Sequence, residues 1–219
     1  MYKRQGFNHI VGLKPTPGRV STAGVLPACR SLDCVSVFAL TAADAAAVLA
    51  VLEGEDAADD YSRFSPGPAG WNHALRIGVP MRPRLDAEQG GPAAWAAAET
   101  LARECGATLV PVDFEPLHAV AQLLYDGPWV AERHAVVQAL MERDPQALDA
   151  TVAAVIAKAR GFDATETFRA MYRLQAAQRA CAALWQRVDL LMVRTSPRHP
   201  TRADVAAAPV AANAELGAS

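Results

Sequence analysis

Leu75-Arg-Ile-Gly-Val-Pro80 and Thr108-Leu-Val-Pro-Val-Asp-Phe114 decide the fold of this chain. In the first, apolar residues alternate as they do in a strand. The second is a short apolar run, the pattern of a buried strand. Between them Gly90-Gly-Pro92 opens a helix whose apolar face is Trp95, Ala98, Leu101, Ala102 and Cys105, and Gly106 closes it. Strand, helix and strand in so short a stretch form a βαβ unit, which implies a parallel pair joined by a right-handed crossover. The expected class is α/β, with a mixed or parallel sheet flanked by helices.

Upstream, Thr41-Ala-Ala-Asp44 has the form of a capping box. Ala45, Val48, Leu49 and Leu52 then recur at helical spacing up to Gly54. Residues Glu53 to Pro68 are rich in acid, Pro, Gly and Ser and read as a surface loop. Downstream, Glu115 to Val188 reads as a helical excursion interrupted at Gly127-Pro128. A fresh helix is expected there, capped by Asp126 and with Pro128 in its first turn. Phe168, Met171, Tyr172, Cys181, Leu184, Trp185 and Val188 fall on one stripe, expected to be core, and Asp189-Leu-Leu-Met-Val193 reads as another buried strand. After Thr195 the pattern dissolves into Pro, Ala and short polar residues.

The 219 residues are 52% hydrophobic and 20% charged, with a mean hydropathy of +0.07. That is the composition of a soluble globular protein with a substantial core. A net charge of -2 and the absence of any Lys/Arg cluster give no footprint for nucleic acid. No apolar run is long enough to span a bilayer, and Met1-Tyr-Lys-Arg-Gln5 does not lead into the apolar core of a signal peptide. These observations favour a cytoplasmic protein with no membrane partner. Cys29, Cys34, Cys105 and Cys181 are spaced neither as a zinc knuckle nor as a redox pair, and are expected to be small, reduced, buried hydrophobes.

His9, His73, His118, His134 and His199 do not form the His-x-x-x-His spacing of a helical metal site. A Gly-x-Ser-x-Gly elbow and a phosphate-binding glycine loop are also missing. No metal and no organic cofactor is expected. The distinctive stretch is Tyr125-Asp-Gly-Pro-Trp-Val-Ala-Glu-Arg133. A helix N-terminus exposed after Gly127 would suit an anion. Arg133 adds a planar fork for a carboxylate, and Tyr125 a phenolic donor. From residue chemistry alone the alternative stays open that Arg133 pairs with Glu132 or Asp126 on a solvated face while Tyr125 packs.

Gly6-Phe-Asn-His-Ile-Val-Gly-Leu-Lys-Pro-Thr16 resembles the segment that follows the nucleophilic serine in the amidase signature family. Pro27-Ala-Cys-Arg-Ser-Leu-Asp-Cys-Val-Ser36 and Gly127-Pro-Trp-Val-Ala-Glu-Arg133 are similar to the allophanate hydrolases within that family. Leu75 to Pro80 also matches, and residues Asp204 to Gly217 match more loosely.

The resemblance implies an amidase-signature-type mixed sheet, incomplete at both ends, with residues 1–5 as a leader and 6–219 as a partial amidase domain. It implies a parent enzyme that hydrolyses allophanate to ammonia and carbon dioxide in urea degradation. Such an enzyme works through a serine acyl-enzyme, a second serine in a cis peptide and a lysine base whose pKa is lowered by desolvation. By the family's order all three precede Gly6, so no catalytic residue is expected in this chain. Lys14, Ser21, Ser31 and Ser36 are assigned turn and packing roles. Tyr125 and Arg133 match the pair that holds the carboxylate end of allophanate. The partner implied is the small anionic amide, with a functional link to a biotin-dependent urea carboxylase. A homodimer is left open. The alternatives are another amidase signature hydrolase, an amidotransferase subunit, or a non-catalytic scaffold that keeps the fold.

Overall fold

Helix α1 (Tyr2–Asn8) ends where His9 takes a left-handed backbone, φ 55°. Strands β1 (Val11–Leu13) and β2 (Val37–Ala39) precede helix α2 (Ala42–Leu52). Then come strand β3 (Arg76–Pro80), helix α3 (Gly91–Glu104) and strand β4 (Thr108–Val112). Helices α4 (Glu115–Asp126), α5 (Val130–Arg143), α6 (Ala150–Ala157) and α7 (Ala164–Cys181) form the helical excursion. Strand β5 (Leu190–Leu191) and helix α8 (Arg202–Ala207) follow. The computed structural model describes residues 2–65, 67, 73–196 and 198–212. The chain divides into two units, Met1–Gly67 with Leu124–Ala170, and Pro68–Leu123 with Met171–Ser219.

In the first unit β1 and β2 pair antiparallel, Val11 opposite Ala39 and Leu13 opposite Val37. Helix α2 starts at Thr41, whose side chain accepts from the Asp44 amide, and buries Ala45. The loop after α2 is stapled to the segment before it. Arg19 Nε donates to Glu53 over 2.6 Å, Ser21 Oγ to Asp56 over 2.6 Å, and the Thr22 amide to Asp59 over 2.6 Å. Gly18 sits at φ +85°, and a Cβ there would stand 2.5 Å from the Tyr61 carbonyl oxygen, so only glycine fits.

The second unit holds the parallel arrangement expected from the two decisive stretches. Strand β3 lies between β4 and β5 and pairs parallel with both, with Ile77 opposite Leu109 and opposite Leu190. Ile77, Gly78 and Val79 are buried in succession, as in a strand covered on both faces. Val112 and Val188 complete this core. Among the described residues the parallel sheet and the antiparallel pair are separate, so the mixed character belongs to the chain rather than to one sheet.

Two expectations are corrected. The stripe on α7 and beyond is core only in part: Val188 is buried and Cys181 and Leu184 are half-buried, but Phe168, Met171, Tyr172 and Trp185 are about half or more exposed. Helical periodicity identifies a face but not what covers it. The cysteines also differ, since Cys29 is buried and Cys105, at the end of α3, is exposed.

Candidate functional site

Pro27 to Ser36 and Gly127 to Arg133 belong to the same unit, and the fold joins them. Asp33 organises the first stretch. Its carboxylate accepts from the Ala28 amide at 2.9 Å and the Cys29 amide at 3.1 Å. The Leu32 and Asp33 amides return to the Cys29 carbonyl, each at 2.8 Å. Residues 28–33 are thereby wound into a turn with Ser31 at its tip.

The Ser31 amide donates to Glu132 Oε2 at 2.8 Å across 101 residues of sequence. Ser31 Oγ donates a short hydrogen bond to Glu132 Oε1. One residue thus occupies both oxygens of one carboxylate. Cys29 lies buried beneath the turn. Desolvation first, and the nearby Glu132 carboxylate second, push its thiol up to about 11, with Arg133 acting in the opposite sense. At neutral pH this thiol is protonated and not nucleophilic.

The start of α5 differs from the sequence expectation. Asp126 is the last residue of α4, not a cap, and α5 begins at Val130 with Trp129 as its N-cap. Gly127, Pro128 and Val130 are buried. The Ala131 and Glu132 amides donate to the Pro128 and Trp129 carbonyls, at 2.8 and 3.1 Å. The exposed cradle of free amides expected after Gly127 is therefore largely used up. Glu132 instead supplies the acidic group of the first turn, where the helix dipole favours it.

Arg133 projects from this turn and is exposed. Of the two expected ion pairs, the one with Glu132 does not form, Glu132 being engaged by Ser31, and the Asp126 side chain lies outside the described residues. Tyr125 lies in the last turn of α4, and its side chain is outside the described residues. Lys14 Nζ contacts the Pro15 carbonyl at 3.4 Å, and Ser36 Oγ contacts the Cys34 carbonyl at 3.4 Å. Ser31 and Glu132 had no motif to single them out as partners.

The profile of the Amidase family matches residues 6–216. The chain belongs to the amidase family. It is 38% identical to urea amidolyase of Lachancea kluyveri over 216 residues, which is 96% of this chain and 12% of that protein. Among solved structures it superposes on Kluyveromyces lactis allophanate hydrolase with TM-score 0.90 and 38% identity, covering 95% of this chain and 35% of that one. On K. lactis urea amidolyase the TM-score is 0.91 at 38% identity, covering 95% and 13%. This amidase-family chain thus spans a minor part of the length of each of these relatives. Among its described residues no helix is long and apolar enough to cross a membrane, and no group of three or more His, Cys, Asp or Glu is placed to hold a metal ion.

In the second unit of this amidase chain, a cavity of about 410 Å³ opens past the C-terminal ends of β3 and β4, where parallel sheets place their ligands. Arg82, Arg84 and Arg194 line it, but Asp113 and Glu115 share the lining, so its charge has no single sign.

Proposed function

We propose that this chain is the part of an allophanate hydrolase that recognises the carboxylate of its substrate. The observation that carries this reading is the close superposition on K. lactis allophanate hydrolase over nearly the whole chain, at an identity well above that of a shared fold alone. In this reading Arg133 grips the substrate carboxylate with its guanidinium fork and Tyr125 donates a phenolic hydrogen bond to it. Fixing that end orients the amide towards the serine and lysine that the family resemblance places before Gly6. The completed enzyme releases ammonia and carbon dioxide from allophanate. It acts downstream of a biotin-dependent urea carboxylase, the reaction class that makes allophanate from urea.

The test is ammonia release by the full-length enzyme to which the chain is assigned. Allophanate is compared with a simple amide of similar size that lacks a carboxylate. Allophanate should be strongly preferred, and Arg133→Ala should abolish the preference while leaving the slow turnover of the neutral amide. An enzyme with no preference for the carboxylated substrate would refute the assignment.

A further inference from the structure

We infer that Ser31 and Glu132 form a positioning pair that keeps the Arg133 guanidinium open for an anionic substrate. Arg133 has an acidic neighbour at the preceding position, and a carboxylate free to move there has two harmful options. It can neutralise the guanidinium, or it can repel the substrate's own carboxylate. Ser31 removes both options. Its amide and hydroxyl converge on the two oxygens of Glu132, so the carboxylate is fixed in direction as well as distance. Glu132 in turn is held where its charge complements the first turn of α5.

The surroundings agree with this arrangement. Ser31 stands at the tip of a turn that Asp33 has already wound, so its two donors are presented without further ordering. Arg133 is exposed and, among the described residues, without an ion pair. Glu132 and Arg133 both bear on the buried Cys29 thiol with opposite sign, which places the two charges around one point. The inference rests on the reading that Arg133 binds the substrate carboxylate. Ser31 and Glu132 touch neither substrate nor reacting atoms in this scheme; they act through Arg133.

The experiment uses the full-length enzyme, with kcat and KM measured for allophanate and for a neutral amide. Ser31→Ala frees Glu132 Oε1 and should raise KM for allophanate about tenfold, with kcat and the neutral amide little changed. Ser31→Thr keeps the hydroxyl and should behave as the parent. The deciding variant is Ser31→Ala combined with Glu132→Gln. With the stray charge removed, KM should return to within about threefold of the parent. If the double variant is as impaired as Ser31→Ala or worse, the pair is a structural contact only and the inference fails. Thermal melts of all variants identify any that fail to fold. If Ser31→Ala itself does not fold, Glu132→Asp takes its place: its shorter arm loses the two-point contact but keeps the charge, so KM should rise, and an unchanged KM overturns the inference. Failure of the underlying reading has a separate signature, because Arg133→Ala would then affect both substrates equally.

Discussion

Arg76 and Asp189 are tied to each other at four points, although they lie 113 residues apart. The Arg76 amide and Nε donate to Asp189 Oδ2 at 2.8 and 3.2 Å, and Nη2 donates to Oδ1 at 2.7 Å. The Asp189 amide returns a bond to the Arg76 carbonyl at 2.8 Å. The pair stands where β3 begins and just before β5, and it sets the register in which Ile77 meets Leu190. The bonds from the Arg76 guanidinium and amide hold the Asp189 carboxyl down to about 2.

Asp189→Asn should therefore destabilise the protein at neutral pH and lose its effect in acid. The unfolded carboxyl titrates near 3.9 and the folded one near 2. A depressed carboxylate contributes stability that is present above its unfolded pKa and is lost as pH falls through its folded pKa. The melting temperature of the variant should lie a few degrees below the parent at pH 7. The gap should narrow between about pH 4 and pH 2. A gap that is constant with pH would show that the carboxylate charge is not what holds the strands.

Gly78→Ala should cost about 1–3 kcal/mol by overpacking. A Cβ there would stand 2.6 Å from Leu191 Cδ2, 3.1 Å from Val112 Cγ2 and 3.3 Å from Val188 Cγ1. Leu191 can swing away, but the buried valines are stiff at χ1. The control is Gly54→Ala, which meets nothing within 4 Å and should stay within about 0.5 kcal/mol of the parent. Urea unfolding of both variants measures the difference.

Alkylation should separate the cysteines. Cys105 is exposed and Cys29 is buried with a thiol raised to about 11. With iodoacetamide at pH 8, peptide mapping should find Cys105 modified first and Cys29 protected. Glu132→Gln removes one of the charges that raise the Cys29 pKa and should make it measurably more reactive, though burial still slows it. Equal reactivity of Cys29 and Cys105 in the parent would contradict the packing of the turn.

In the full-length enzyme, Arg133→Lys should cost about 1.5–3 kcal/mol, or roughly ten- to a hundredfold in kcat/KM for allophanate. Lysine keeps the charge but cannot form the bidentate fork. Tyr125→Phe should cost about 0.5–1.5 kcal/mol, since it removes one neutral donor. A neutral amide is the control. Equal losses on both substrates would make Arg133 a structural residue.

The βαβ unit of β3, α3 and β4 was legible in the sequence, as were the helical excursion after Glu115 and the Thr41 cap. Each is written in local signals: alternation, a 3.6-residue period, or a side chain that satisfies an amide three residues on. Tyr125 and Arg133 came from the family resemblance together with the chemistry of their side chains. The tertiary structure decided what lies far apart in sequence. It moved the start of α5 to Val130, because α4 runs on through Asp126 and the Pro128-Trp129 turn takes up the next amides. It left Phe168, Met171 and Tyr172 of the α7 stripe exposed, because periodicity is the same for a covered face and an open one. It brought Ser31 to Glu132 and Arg76 to Asp189, contacts that form only when the chain closes on itself. No local pattern encodes them, because a hydrogen bond depends on distance in space and not on separation along the chain.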